Sequence, residues 1–82
     1  MRVTVRLFAR LRELAGNGDL ECDCPGDAVT VADVWQQLVA RYPALAPYDR
    51  AVSCAVNAEY ARRTSPVSEG DEVAFLPPVS GG

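Results

Sequence analysis

The sequence predicts an α+β domain in which one main amphipathic helix covers one face of a mixed sheet of four to five strands. Segments near both ends of the chain alternate apolar and polar residues with the period of a strand, and one segment between them carries apolar residues at helical spacing. The chain has 82 residues, of which 49% are hydrophobic, enough for one small core and too little for two. Strands before and after a single helix fit a two-layer arrangement, because the helix stripe and one sheet face each need an apolar cover.

The first segment, "MRVTVRLF", puts Met1, Val3, Val5 and Leu7 on one face and Arg2, Thr4, Arg6 and Phe8 on the other, the pattern of a half-buried strand. "ARLRELAG" follows as a short helical turn carrying Leu11 and Leu14 and ended by Gly16, and "NGD" supplies turn chemistry. "DLECDCP" alternates again, with Leu20, Cys22 and Cys24 against Glu21 and Asp23, until Pro25 removes a ladder donor; this is a partner or edge strand. Thr30 with Asp33 resembles a capping box, and Val31, Val34, Trp35, Leu38, Val39 and Tyr42 then follow on one stripe up to Pro43. That stretch is the main helix.

"PALAPYDR" is expected to be a loop, and "AVSCAVN" a well-covered strand in which Val52, Cys54 and Val56 alternate with small residues. Asn57 and Ala58 allow a tight turn into a short strand around Tyr60. "SPVSEG" reads as a loop bending at Gly70, and the last strand sets Val73 and Phe75 against Ala74 and Leu76 before Pro77 and Pro78 end it. The domain is expected to span 1–76, with 77–82 an extended, flexible C-terminal tail.

Composition excludes several classes of function. The formal charge is −3, every basic residue is an arginine, and acids are interleaved with them, so the chain lacks the basic footprint of a nucleic-acid binder. It has neither histidine nor lysine, which removes the commonest general base, the commonest metal ligand and every Schiff-base nucleophile. Cys22, Cys24 and Cys54 are odd in number and have no C-x-x-C spacing, so they are expected to be core thiols rather than a zinc site or a disulfide framework. The N-terminus lacks the continuous apolar run of a signal peptide and nothing later approaches a membrane span, so the expectation is a cytoplasmic protein without membrane contact.

If Val3, Val5 and Leu7 face the helix, alternation sends Phe8 outward; in the last strand the same rule sends Phe75 inward and Leu76 outward. Two large apolar groups near the start of the tail then mark a docking surface, with Tyr60 a third candidate. The tail itself is "PPVSGG". Prolines favour an extended path, and six residues at about 3.3 Å each reach roughly 20 Å. Gly81 and Gly82 present a terminal carboxylate without β-carbons, which can thread a passage closed to any side chain.

"GDEVAFLPPVSGG" (70–82), together with "RLFARLRELAG" (6–16) and "AVN" (55–57), resembles the small sulfur-carrier subunits of molybdopterin synthase, ubiquitin-like β-grasp proteins of the MoaD/ThiS kind. The resemblance spans the chain and implies a β-grasp fold and chemistry performed on the last residue. An ATP-dependent, E1-like activating enzyme would adenylate Gly82, and a persulfide sulfur donor would leave a C-terminal thiocarboxylate there. The large catalytic subunit, in a heterotetramer with two of each chain, would receive the tail and pass sulfur to cyclic pyranopterin monophosphate for the molybdenum cofactor.

On the same resemblance, Gly81 serves threading, and Phe8, Tyr60, Leu76, Pro77, Pro78, Val79 and Ser80 contact partners. The tyrosine, the leucine and Ser80 are mild departures from a familiar version of the family. No cofactor is expected on this chain, since ATP and magnesium act in the activating partner. Sulfur carriage for thiamine, cysteine or tRNA thiolation, and isopeptide attachment as a protein modifier, are the alternatives.

Overall fold

A computed structural model describes residues 1–78 of the chain. Val79, Ser80, Gly81 and Gly82, and with them most of the expected tail, lie outside the described residues. The elements run β1 (Arg2–Leu7), α1 (Ala9–Ala15), β2 (Asp19–Asp23), β3 (Val29–Thr30), α2 (Val31–Arg41), a 3-10 helix (Pro43–Tyr48), β4 (Ser53–Val56), β5 (Glu59–Ala61), β6 (Pro66–Val67) and β7 (Glu72–Leu76).

Five strands form a mixed sheet in the order β2-β1-β7-β4-β5. The strands nearest the two ends of the chain, β1 and β7, are parallel neighbours, with Val5 opposite Val73 and Leu7 opposite Phe75. Every other pairing in this sheet is antiparallel. The expected four to five strands and single main helix are therefore present.

Local chemistry explains the elements. Thr30 caps α2 by accepting from the Asp33 N–H while the Asp33 carboxylate accepts from the Thr30 N–H, so both halves of the capping box are made. α1 ends where Gly16 takes φ 76, a left-handed cap that lets its N–H reach the Arg12 and Glu13 carbonyls. Val31, Val34, Trp35 and Leu38 line the buried stripe of α2. They meet Val3, Val5, Leu7, Val73 and Phe75 from the two central strands in one core. Trp35 packs on Phe75 with ring centroids 5.0 Å apart and planes at 49°, a tilted contact favourable to both rings.

Two expectations need correction. "PALAPYDR" is not a plain loop: residues Pro43–Tyr48 wind into the 3-10 helix and bury Leu45 completely. Proline at its start presets φ, and the tighter helix lets a short segment turn over the end of α2 while delivering one leucine to the core. "SPVSEG" is likewise not all loop, because Pro66 and Val67 pair with Thr30 and Val29 as a two-stranded ladder and Val67 is buried. Strands of two residues are too short to show alternation.

Because Leu38 is fully buried on the stripe, Leu38→Ala is expected to destabilise the fold by about 2–5 kcal/mol through lost apolar burial and the cavity left behind. Denaturant unfolding followed by Trp35 fluorescence measures it, and a change near zero would dissociate the stripe from the core.

Candidate functional site: the open face of the sheet

The helix layer covers one face of the sheet, and the other carries a sharp division. Across β1 and β2 it is charged: Arg2 pairs with Asp23 at 3.3 Å and with Glu21 at 4.0 Å, and Arg6 with Asp19 at 3.2 Å. These pairs are exposed and add little stability. They do keep this half of the face polar.

The half built from β7, β4 and β5 is apolar. Its floor follows from the register: Arg6 lies opposite Ala74, Ala74 opposite Ala55, and Ala55 opposite Tyr60, so one row of outward side chains crosses four strands with two alanines in the middle. Small residues there leave a shallow depression walled by Phe8, Tyr60 and Leu76. Tyr60 is 86% exposed and Phe8 40%, and they are the large exposed hydrophobics among the described residues. Leu76 is half-buried, opposite Ser53.

The three apolar candidates thus come together, Phe8 from one residue past the strand. β1 ends at Leu7. Phe8 is the extended N-cap residue of α1, its N–H donating to the Phe75 carbonyl at 3.3 Å. It still faces outward because its own backbone is extended, with φ −121 and ψ 155, and carries the alternation of β1 one residue further. Pro77 and Pro78 follow Leu76 directly, so the tail starts from this corner of the face. The sequence reading missed Arg6, Ala55, Ala58, Glu72 and Ala74 as lining residues. The only sequence signal for the floor was alanine at outward positions in two strands.

The β4–β5 turn is tied firmly to β7. Asn57 and Ala58 both have positive φ, 50 and 69, the pattern of a type I′ hairpin turn. The Asn57 N–H donates to the Glu72 carbonyl at 2.8 Å, and its side-chain oxygen accepts from the Glu72 N–H at 3.0 Å. Its amide nitrogen donates to Asp71 at 3.0 Å. That bond, with the Ser68 N–H, holds the Asp71 carboxyl below its ordinary pKa.

Among the described residues, no three His, Cys, Asp or Glu side chains gather as a metal-holding group. Cys22, Cys24 and Cys54 are free and buried, and burial pushes each thiol up from its ordinary pKa. No helix among the described residues is long and apolar enough to cross a membrane.

Comparison with known proteins places this geometry. The model of the ThiS family matches residues 5–82. The molybdopterin synthase sulfur carrier subunit of Arabidopsis thaliana is 38% identical over 82 residues, spanning 100% of this chain and 84% of that protein. The subunit of the same name in Escherichia coli is 39% identical over 82 residues, spanning 98% and 99%. The crystal structure of SAMP1 from Haloferax volcanii superposes with a TM-score of 0.86 at 37% identity over 100% of both chains. The ubiquitin-like β-grasp architecture is common to this neighbour and the chain.

The buried, proton-retaining thiols carry a prediction of their own. In the folded protein at neutral pH all three should resist an aromatic disulfide reagent, and denaturant should release all three together. Rapid reaction of one thiol in native buffer would show that a cysteine lies open to solvent.

Proposed function

The chain belongs to the ThiS family, and from that membership we propose that it is the sulfur carrier subunit of molybdopterin synthase. The observation that carries the proposal is full-length kinship to such carriers together with an apolar docking face at the root of a tail ending in Gly81 and Gly82.

The reaction takes place on Gly82. A carboxylate is a poor electrophile at neutral pH, so an E1-like activating enzyme first lets it attack the α-phosphorus of ATP, releasing pyrophosphate and forming an acyl adenylate. A persulfide sulfur then adds to that carbonyl and expels AMP. A thiol cleaves the resulting acyl disulfide, leaving the thiocarboxylate. The large synthase subunit takes the loaded tail and passes its sulfur to cyclic pyranopterin monophosphate, and two such transfers complete the dithiolene that binds molybdenum.

In this reading the proton transfers and the metal chemistry belong to the partners. The chain has no histidine and no lysine, which accords with a non-catalytic carrier in the cytoplasm whose activating partner holds ATP and magnesium. Its own contributions are recognition and reach. Phe8, Tyr60 and Leu76 form the contact that brings a partner to the tail root, where buried apolar anchors give most of the binding energy. Pro77 and Pro78 stiffen the exit, and Val79 and Ser80 lead to the glycines. Gly81 keeps the approach to the reacting carbon free of side-chain atoms.

The likeness to SAMP1 favours a second reading, attachment to other proteins through an isopeptide bond at Gly82. Both readings need the same activated terminus. Because this chain has no lysine, it offers no lysine acceptor for building chains of itself, and conjugates would be single additions on other proteins' lysines.

Intact-mass analysis of the protein purified from its own host is expected to show a population in which sulfur replaces one terminal oxygen. Lysine conjugates in place of that species would favour the modifier reading. Gly81→Ile is expected to abolish adenylation, pterin sulfuration or both in a reconstituted system while leaving the unfolding midpoint unchanged, because it removes none of the core and adds bulk where the tail must thread. Normal rates in both reactions would remove the tail from the mechanism. Phe8→Arg and Leu76→Arg should fold yet lose about tenfold or more in affinity for the activating enzyme or the large subunit, since docking must then desolvate a charge. Titration calorimetry of each variant reads that loss.

A further inference from the structure

Phe8 is unusually constrained for a half-exposed aromatic residue. Its backbone is held on both sides: the N–H donates to the Phe75 carbonyl at 3.3 Å, and the Phe8 carbonyl accepts from the Leu11 N–H at 3.1 Å and the Arg12 N–H at 3.4 Å. That leaves the side-chain torsions. Over the ring stands the guanidinium of Arg6, its central carbon 5.9 Å from the ring centroid.

Arg6 is itself held from both neighbouring strands. Its Nε lies 3.2 Å from Asp19 of β2 and one terminal nitrogen 3.8 Å from Glu72 of β7. Each pair alone is a weak surface contact. Together they pull the guanidinium from two directions across β1 and keep it over the Phe8 ring, at the boundary between the charged and apolar halves of the open face. An arginine whose charge is already matched by two carboxylates gains little from a partner's acid. It is well placed to order a neighbour.

We infer that Arg6 is a positioning residue for docking: it holds the Phe8 ring in the orientation that the partner of the sulfur carrier meets. The inference rests on the function proposed above. Binding then begins from an ordered anchor, and the cost of fixing that side chain falls on the fold rather than on the complex. A cation over an aromatic ring at an exposed site corresponds to about a two- to fivefold change in affinity.

The test uses the full chain and the activating enzyme of the same organism. Arg6→Met keeps the length of the stem and removes the cation, and it should weaken docking about two- to fivefold. In a Phe8→Ala background the same substitution should have no further effect. Arg6→Lys, which keeps a cation near the ring, should return docking to within about twofold of the parent.

A spectroscopic readout needs no partner. Phe8 and Phe75 are the two phenylalanines of the chain. With fluorine-labelled phenylalanine, Arg6→Met should move the Phe8 resonance and leave that of buried Phe75 in place. Docking of Arg6→Met at parental strength, equal losses in both backgrounds, or an unmoved Phe8 resonance would each overturn the positioning role. If Phe8→Ala alone leaves docking unchanged, the docking face is what fails, while the resonance still decides whether Arg6 orders the ring.

Discussion

The parallel pairing of β1 with β7 is the constraint on which the rest of the structure depends. It lays the first and last strands of the sheet side by side in its interior, both running toward the same end. Leu7 and Phe75 are opposite each other and buried, so the residues that follow them, Phe8 and Leu76, emerge next to one another. A slip of one residue in this register would turn Val73 and Phe75 to solvent and bury Ala74 and Leu76. The packing of Phe75 against Trp35 opposes that slip, and it therefore fixes the position of the apolar corner as well as the core.

A sheet with one covered face must also keep the other from sticking indiscriminately. Here the two halves solve the problem differently. The β1–β2 half is covered with alternating arginine and acid, and the edge strand β2 displays Asp19, Glu21 and Asp23 along its exposed positions, which discourages pairing with a strand from another chain. The β7–β4–β5 half remains apolar but shallow, floored by alanines and limited to three large side chains around one corner. The backbone departures from ordinary φ at non-glycine residues among the described residues, Ala9, Asn57 and Ala58, flank this corner on both sides. Local strain accompanies the surface rather than the core, the distribution expected where geometry serves binding.

Much of this was legible because the relevant signals are short-range. Alternation in "MRVTVRLF" and "EVAFL" identified buried Val3, Val5, Leu7, Val73 and Phe75, and the Thr30–Asp33 pair marked the start of α2. Asn57 and Ala58 announced the turn that the positive φ values confirm. The 3-10 helix escaped because a six-residue segment with two prolines shows no helical period, although Leu45 at its centre is as buried as any core residue. The ladder of β3 with β6 joins residues 36 or more positions apart in pieces of two, and only the tertiary fold brings them together. The site was half visible for the same reason. Parity along single strands identifies Phe8 and Leu76, whereas the alanine floor and the Arg6 clamp depend on which strands are neighbours, and strand order is not written in any one segment.

The separation between where this chain folds and where it reacts has a mechanistic consequence. Among the described residues the core ends at Phe75, and the proposed reacting atom lies seven residues later, beyond Leu76, the last large side chain of the sequence. In the proposed function the changes from carboxylate to adenylate to thiocarboxylate therefore fall beyond the last core residue among the described residues. Recognition, in the function proposed above, is confined to one corner. If both the activating enzyme and the large subunit read Phe8, Tyr60 and Leu76, they cannot bind at once, and each handover requires the carrier to leave one before meeting the other. A small apolar corner suits that cycle, because a few anchors give recognition while a limited buried area keeps release from becoming the slow step. Ordering Phe8 in advance then improves the match without enlarging the contact, which is how a surface of three side chains can be selective and still let go.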